Sequence, residues 1–368
     1  MSVLSKRLPR GTATFVLCFL LLFLFLRDSD VCFSEMKRGL SICAGVLVPT
    51  LFPYMLISEM LVRANLGYYL GRHLEKPMRR IFGISGSGAG ALMLGIICGF
   101  PIGAKTAAAL YSRGELTLEE CERLLSFCNY PSAPFVIFAV GKNLLGNTSF
   151  GLFLYLVNVT TGLLFGVMSK GKRHVSPPRQ APSKPCIHHP FFKIFSDSVS
   201  SAAGAMISVC ALVTFFTCTV GCISAVDCIN DLPILKALLF SFFELTSGAA
   251  ACAAITSRRL AAALTAAAVG WGGVSVLMQI YSTCIEMSCT PSLRPYLTSR
   301  VFSSVFCAIL TAAVLPLFPS LIPAKIPDTD VFLDLAAFPS AFTHAVNLLF
   351  IISVWLYSNK KLDRRRMI

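Results

Sequence analysis

Residues 98–105 combine residue types that bind an anion at the end of a helix. Gly99, Pro101 and Gly103 interrupt a long apolar stretch, and Lys105 follows within one turn. Glycine and proline break helices, so we predict that one helix ends near residue 97 and the next begins near residue 102. The N-terminus of the second helix would carry free N–H groups and a partial positive charge, which favour an anion. The alternative is a kink that serves only helix packing.

Polar residues mark further interruptions of apolar segments. Together with the four residues above, the predicted substrate-binding set is Asn129, Ser132, Thr246, Ser247, Gly248, Gly273, Ser275 and Gln279. An acidic residue at membrane depth costs about 2.5 to 3.5 kcal/mol, so Glu244 is predicted to pair with Lys105 and to couple transport to H⁺ or Na⁺. Two alternatives stay open: Glu244 is solvated near an interface, and Gln279 only hydrogen-bonds between helices.

The composition is that of a multi-pass membrane protein. Of 368 residues 55% are hydrophobic and 14% charged, and the mean hydropathy is +0.72; soluble proteins carry about 25% charged residues. The net charge of +14 comes from short basic stretches beside apolar runs, as cytoplasmic loops of membrane proteins show. We therefore expect a lipid bilayer and a small anionic molecule as partners, and no nucleic acid. Oligomerisation stays open.

The cysteines do not predict a metal site. Most of the 15 lie inside apolar runs, where a thiol behaves as a small hydrophobe. No Cys-x-x-Cys pair occurs, and the segment Cys186-Ile-His188-His189 has no second ligand pair. We expect neither a metal nor a cofactor.

The elements that must position the candidate residues are helical hairpins. Residues 84–97 would form a helix of about 20 Å, too short to cross a hydrocarbon core of about 30 Å. Together with residues 102–111 they predict a re-entrant hairpin. Thr117 and Glu120 form a capping-box pattern at the start of an amphipathic helix. We predict that this helix lies at the interface, with Glu119, Glu120 and Glu122 solvated.

The two halves of the chain have matching interruptions. Residues 33–35, 99–103 and Asn129 are echoed by residues 195–197, 244–248 and 271–275. Paired interruptions in two halves are typical of transporters whose substrate site lies at the repeat interface. The charges predict that both termini are cytoplasmic and that the hairpins open on opposite faces. The predicted fold is all-α and polytopic, with two inverted-topology repeats that each contain a re-entrant hairpin and a broken helix.

Five segments follow from this interpretation. They are an N-terminal transmembrane helix (1–32), a first repeat (33–169), a basic Pro-rich cytoplasmic linker (170–194), a second repeat (195–318), and an acidic outer loop, last transmembrane helix and basic cytoplasmic tail (319–368).

Six motifs in this order resemble the YlbJ (SpoVV) family of sporulation integral membrane proteins, which contain nucleoside-recognition Gate segments. They are Leu51-Phe-Pro53, Gly99-Phe-Pro-Ile-Gly-Ala-Lys105, Leu110-Tyr-Ser-Arg-Gly-Glu-Leu116, Glu122-Arg-Leu-Leu-Ser-Phe-Cys-Asn129, Phe243-Glu-Leu-Thr-Ser-Gly248 and Gly272-Gly-Val-Ser-Val-Leu-Met-Gln279. The resemblance covers residues 33–316. It implies movement of dipicolinate from the mother cell across the outer forespore membrane, with an architecture like that of the concentrative nucleoside transporters.

Other function classes are less consistent with the sequence. The chain has no Gly-x-Ser-x-Gly elbow, no His-Glu-x-x-His and no P-loop, so we expect neither an enzyme nor an ATP-driven pump. A nucleoside permease and a non-transporting membrane scaffold needed for the spore cortex remain as alternatives.

Overall fold

The computed structural model describes residues 12–64, 66–170, 190–225, 229, 231–322, 347–348, 350–351 and 353–354. The part of the chain so described contains helices and connecting turns, with no strand. Several predicted features lie outside the described residues: most of the basic linker with its Cys-x-His-His segment, the three aspartates at 328, 330 and 334, and the basic tail.

The first half consists of α-helices and π-helical turns. The helices are α1 (Thr12–Arg27), α2 (Ser29–Ile42), α3 (Val48–Arg63), α4 (Leu66–Pro77), α5 (Ala89–Cys98), α6 (Ile102–Ser112), α7 (Leu118–Phe127) and α8 (Thr148–Met168). The π-helical turns are Cys43–Leu47, Met78–Phe82 and Phe135–Leu144, and Gly86–Gly88 is a short 3₁₀ turn.

The second half contains a long helix, a pair of short helices, a helix broken at Gly272 and a last long helix, and its relation to the first half as a repeat stays a prediction. Its helices are α9 (Phe191–Ser224), α10 (Pro233–Phe243), α11 (Leu245–Ala253), α12 (Arg258–Trp271), α13 (Gly273–Glu286) and α14 (Arg294–Val314), and a 3₁₀ turn follows at Pro319–Leu321. The inverted orientation of the two halves stays a prediction.

Five helical segments among the described residues are long and apolar enough to cross a membrane. They are Ser29–Arg63, Thr148–Met168, Phe191–Ser224, Arg258–Glu286 and Arg294–Val314. A sixth results if the pair Tyr69–Phe82 and Gly86–Cys98, bent by 98°, counts as one broken span. The prediction of an all-α, multi-pass membrane protein is confirmed.

The predicted helix breaks are confirmed, and glycines allow the hairpin limbs to touch. α5 ends at Cys98 and α6 begins at Ile102. A Cβ atom on Gly103 would lie 3.0 Å from the Cα of Gly95 and 2.1 Å from the carbonyl oxygen of Cys128. In the second hairpin, a Cβ on Gly248 would lie 2.3 Å from the Cα of Ser241. The backbones therefore approach more closely than any side chain permits at these positions.

Residues of the two halves pack together in shared apolar clusters. Val276 and Ile280 of α13 pack in one apolar cluster with α5, α6 and α7 of the first half. Leu245 and Ala249 of α11 pack in another cluster with the turn Phe135–Leu144 and with α8. Each hairpin therefore packs against the broken helix of the opposite half, and this brings the breaks of both halves together.

Helix α7, which we predicted to lie at the interface, has the predicted cap, but one of its three glutamates is buried. Thr117 and Glu120 form a reciprocal capping box. The prediction that Glu120 is solvated is wrong: it is 1% exposed, and its Oε1 accepts a hydrogen bond of 2.7 Å from the Ser85 N–H. Glu119 is exposed and Glu122 is half-buried, with its Oε1 accepting from the Ser292 N–H at 2.7 Å.

Candidate functional site

The interruptions of both halves line one cavity. The cavity is small and open to one side. The polar lining residues are Ser132, Glu244, Thr246 and Gln279, and the apolar ones are Leu47, Leu51, Phe100, Pro131, Phe135, Val209, Val213, Leu245 and Val276. The sequence analysis predicted Ser132, Thr246 and Gln279 to bind substrate and Glu244 to couple transport. The fold brings all four residues to one cavity.

Glu244 contributes an acidic side chain to this cavity and caps a half-helix. It precedes α11 and is 2% exposed. Its Oε1 accepts from the Thr246 N–H at 2.8 Å, and its Oε2 accepts from the Ser247 N–H at 2.6 Å. The N-terminal N–H groups and the helix dipole stabilise the carboxylate. The positive end of this half-helix is therefore already occupied by a side chain.

The corresponding end of the first hairpin has no such cap. Pro101 precedes α6, and no side chain caps that helix. The Phe100 N–H donates to the carbonyl of Tyr130 at 2.7 Å, which joins the two interruptions of the first half. Ser132 is 3% exposed, and its Oγ has no hydrogen-bond partner. A buried hydroxyl without a partner costs about 1 to 3 kcal/mol, so Ser132 is suited to contact a ligand.

The prediction that Lys105 pairs with Glu244 is wrong. Lys105 Nζ lies 2.5 Å from Glu59 Oε1 and donates to Ser201 Oγ at 2.7 Å. Arg63 lies 3.9 Å from Glu59 and 3.9 Å from Asp197, which extends the cluster.

The ion cluster lies beside the cavity rather than in its wall. Ser201 and the lining residue Val209 are separated by about 12 Å along α9 at 1.5 Å per residue. Glu59 was missed because its carboxylate sits near the end of an apolar run that reads as an ordinary span. An intramembrane acid is itself a signal, and it could have directed attention to this residue.

Apart from Ser132, Thr246 and Gln279, the predicted substrate-binding residues do not line the cavity. Gly99 has φ +82°, and its Cα faces Ser132 so closely that a Cβ would lie 2.5 Å from the Ser132 nitrogen. Gly273 has φ +90° and packs against Glu244. Gln279 Nε2 lies 3.4 Å from Ser275 Oγ. Their ligand roles, like those of Pro101, Gly103, Asn129, Ser247 and Gly248, stay predictions.

Asn129 is fully buried with only part of its amide satisfied. Its Nδ2 donates to the Leu125 carbonyl at 2.8 Å, whereas its Oδ1 has no partner. Nearby, Arg300 is 2% exposed and lies 5.5 Å over the ring of Tyr296. Its Nη2 approaches the Ser126 carbonyl at 3.5 Å, close to the C-terminal end of α7. The carbonyls at that helix end stabilise the guanidinium charge.

Comparison with known proteins adds one relative. The sporulation integral membrane protein YlbJ of Bacillus subtilis (strain 168) is 29% identical over 231 residues. The chain is therefore similar to a sporulation integral membrane protein. The match covers 58% of this chain and 57% of YlbJ, so little more than half of that relative is spanned. No family model matches the chain, and no solved structure matches it significantly.

Proposed function

We propose that the chain is a secondary transporter of a small anionic metabolite. The observation that carries the proposal is the cavity in which the helix breaks of both halves meet. Transporters built from two repeats bind substrate where discontinuous helices of the two repeats face each other. The family resemblance names dipicolinate, moved from the mother cell toward the forespore across the outer forespore membrane, as the substrate.

The cavity suits a flat molecule with few polar groups. Phe100, Phe135 and Pro131 supply broad apolar surfaces, and Ser132 and Gln279 supply polar contacts. The uncapped N-terminus of α6 begins two residues after Phe100 and favours a carboxylate. An aromatic dicarboxylate meets both conditions.

Glu244 gives the proposal its coupling mechanism. A bound anion and an ionised Glu244 would repel each other by about 3 kcal/mol at about 5 Å and an effective dielectric constant of about 20. Protonation of Glu244 would remove that repulsion and would weaken the hydrogen bonds that the Thr246 and Ser247 N–H groups donate to the carboxylate. Substrate and proton would therefore move together, and Glu244 would be the residue that carries the proton.

Lys105 enters the proposal as a counter-charge that changes partners. Its ammonium group is held by Glu59, and neither residue lines the cavity. An entering carboxylate can displace Glu59, because both groups offer the same kind of oxygen acceptor. Lys105 would then be paired with Glu59 when the cavity is empty and with the carboxylate of the anion when it enters.

A nucleoside permease is the second candidate. The described lining residues include Glu244 and no lysine or arginine, which also suits a neutral ligand with hydrogen-bonding edges. Uptake measurements separate the two candidates.

The experiment is uptake of labelled dipicolinate and labelled uridine into proteoliposomes that hold the purified chain. We expect dipicolinate uptake that an inward proton gradient accelerates. Glu244→Gln should still bind dipicolinate but lose the acceleration, whereas the exposed Glu286→Gln should behave like the parent. Uptake of uridine alone would support the permease. Failure of folded protein to take up either compound would support the scaffold and refute transport.

A further inference from the structure

Three cysteine thiols converge where α2 meets α9. Cys32 lies on α2, and Cys218 and Cys222 lie one turn apart on α9. The three sulfur atoms all lie within 4.8 Å of one another, and the closest two, those of Cys32 and Cys218, are 3.3 Å apart. Cys218 and Cys222 are buried and Cys32 is half-buried.

Close helix packing holds these thiols together. A Cβ on Gly221 would lie 2.2 Å from the Glu35 Cγ, so the glycine leaves the space that this side chain fills. A Cβ on Gly39 would lie 2.9 Å from the Cα of Thr214, so the backbones nearly touch there as well. The helix pair is therefore set by backbone contacts that do not involve the thiols.

We propose that Cys32, Cys218 and Cys222 form a Zn²⁺ site. Zinc–sulfur bonds of about 2.3 Å in a tetrahedron place the sulfur atoms about 3.8 Å apart. The observed separations of 3.3 Å to at most 4.8 Å reach that value by shifts of about 1 Å or less. Ligands at positions i and i+4 of one helix face the same ion, as two of these do.

Asp28 supplies the candidate fourth ligand and the reason to choose zinc. Asp28 lies one helical turn before Cys32, whose N–H donates to the Asp28 carbonyl at 2.9 Å. The Asp28 Oδ2 lies 2.9 Å from Arg27 Nε. Zinc accepts thiolate and carboxylate ligands together, whereas monovalent copper prefers sulfur. Arg27 offsets part of the negative charge of such a site. Binding releases the thiol protons to solvent as each sulfur becomes a thiolate.

A bound ion would fasten two helical segments that shape the cavity. The span containing α2 and α3 contributes Leu47 and Leu51 to the cavity, and α9 contributes Val209 and Val213. The three cysteines lie near the start of the first segment and near the end of α9, away from these lining residues. The zinc site therefore does not depend on what the cavity binds.

The test uses the full chain, purified in detergent with a phosphine reductant and incubated with equimolar Zn²⁺. Bound zinc is measured by mass spectrometry after gel filtration. We expect stoichiometric zinc in the parent and in Cys210→Ser, a control on the same helix outside the cluster. Cys218→Ser and Cys222→Ser should lose at least about 10-fold to 100-fold in zinc affinity, with unchanged elution.

Three results would overturn the site. Folded parent could retain no zinc, or Cys218→Ser could retain as much as the parent. An intact mass lower by two hydrogens without reductant, absent in Cys32→Ser and in Cys218→Ser but present in Cys222→Ser, would identify a disulfide between Cys32 and Cys218 instead. Cys32→Ser also serves if a substitution in α9 prevents folding, because Cys32 is the more exposed ligand.

Discussion

The ion pair between Lys105 and Glu59 should dominate the stability of the contact between α6 and α3. The side chains are 11% and 14% exposed, and Nζ and Oε1 are 2.5 Å apart. Removing one partner of a buried pair costs about 3 to 5 kcal/mol, because the other charge stays buried. We therefore expect either single replacement by methionine to lower the free energy of unfolding substantially.

The surroundings predict which replacement costs more. Without Lys105, Glu59 keeps Arg63 at 3.9 Å, so Lys105→Met should cost about 3 kcal/mol. Without Glu59, Lys105 still donates to the Ser201 hydroxyl, which carries no charge, so Glu59→Met should cost nearer about 5 kcal/mol. The double variant leaves no unpaired charge in the pair and should lie within about 2 kcal/mol of the parent.

The measurement is a double-mutant cycle on unfolding by sodium dodecyl sulfate in mixed micelles. Arg113→Met, at the exposed end of α6, is the control and should change little. Costs below about 1 kcal/mol for both single variants, or a double variant that equals their sum, would refute the buried pair. In proteoliposomes the stable double variant should fail to take up dipicolinate. Normal uptake would remove Lys105 from the proposed path.

Two further predictions concern packing and capping. Gly103→Ala should destabilise the chain by at least about 1 to 3 kcal/mol, because its Cβ would lie 2.1 Å from a carbonyl oxygen. Gly45→Ala, which meets nothing within 4 Å, is the matched control, and equal thermal stability of both would contradict the hairpin contact. Glu120→Ala should cost about 2 kcal/mol, since it removes a cap and leaves the Ser85 N–H unpaired. Glu119→Ala should change the free energy of unfolding by no more than about 0.5 kcal/mol. Equal thermal stability of the Glu119→Ala and Glu120→Ala variants would indicate that Glu120 is solvated after all.

Helix breaks could be predicted from the sequence because their causes are local. Proline removes a backbone donor, and glycine permits the positive φ seen at Gly99 and Gly272. The capping box at Thr117 is local in the same way, since its partners lie three residues apart. These features place helix ends, and the cavity forms where the ends meet.

Partners across the fold could not be predicted with the same rules. The pairing of Lys105 with Glu59 depends on the contact between α6 and α3, and no periodic pattern encodes that contact. Glu120 is buried because it contacts the backbone of Ser85, which lies 35 positions earlier in the sequence. The cysteine cluster joins residues 186 positions apart, so a search for closely spaced cysteines misses it.

The two hairpins differ in how their second helices begin. α11 begins with an acidic cap that neutralises its positive end, whereas no side chain caps α6. If both ends attracted anions equally, a dicarboxylate could bridge them and would gain nothing from a proton. In the proposed transporter, Glu244 occupies one end, so the anion would be held by the first half and would meet the acid of the second. Protonation of that acid would then decide whether the cavity accepts the anion, which is the requirement for the coupled transport that we propose.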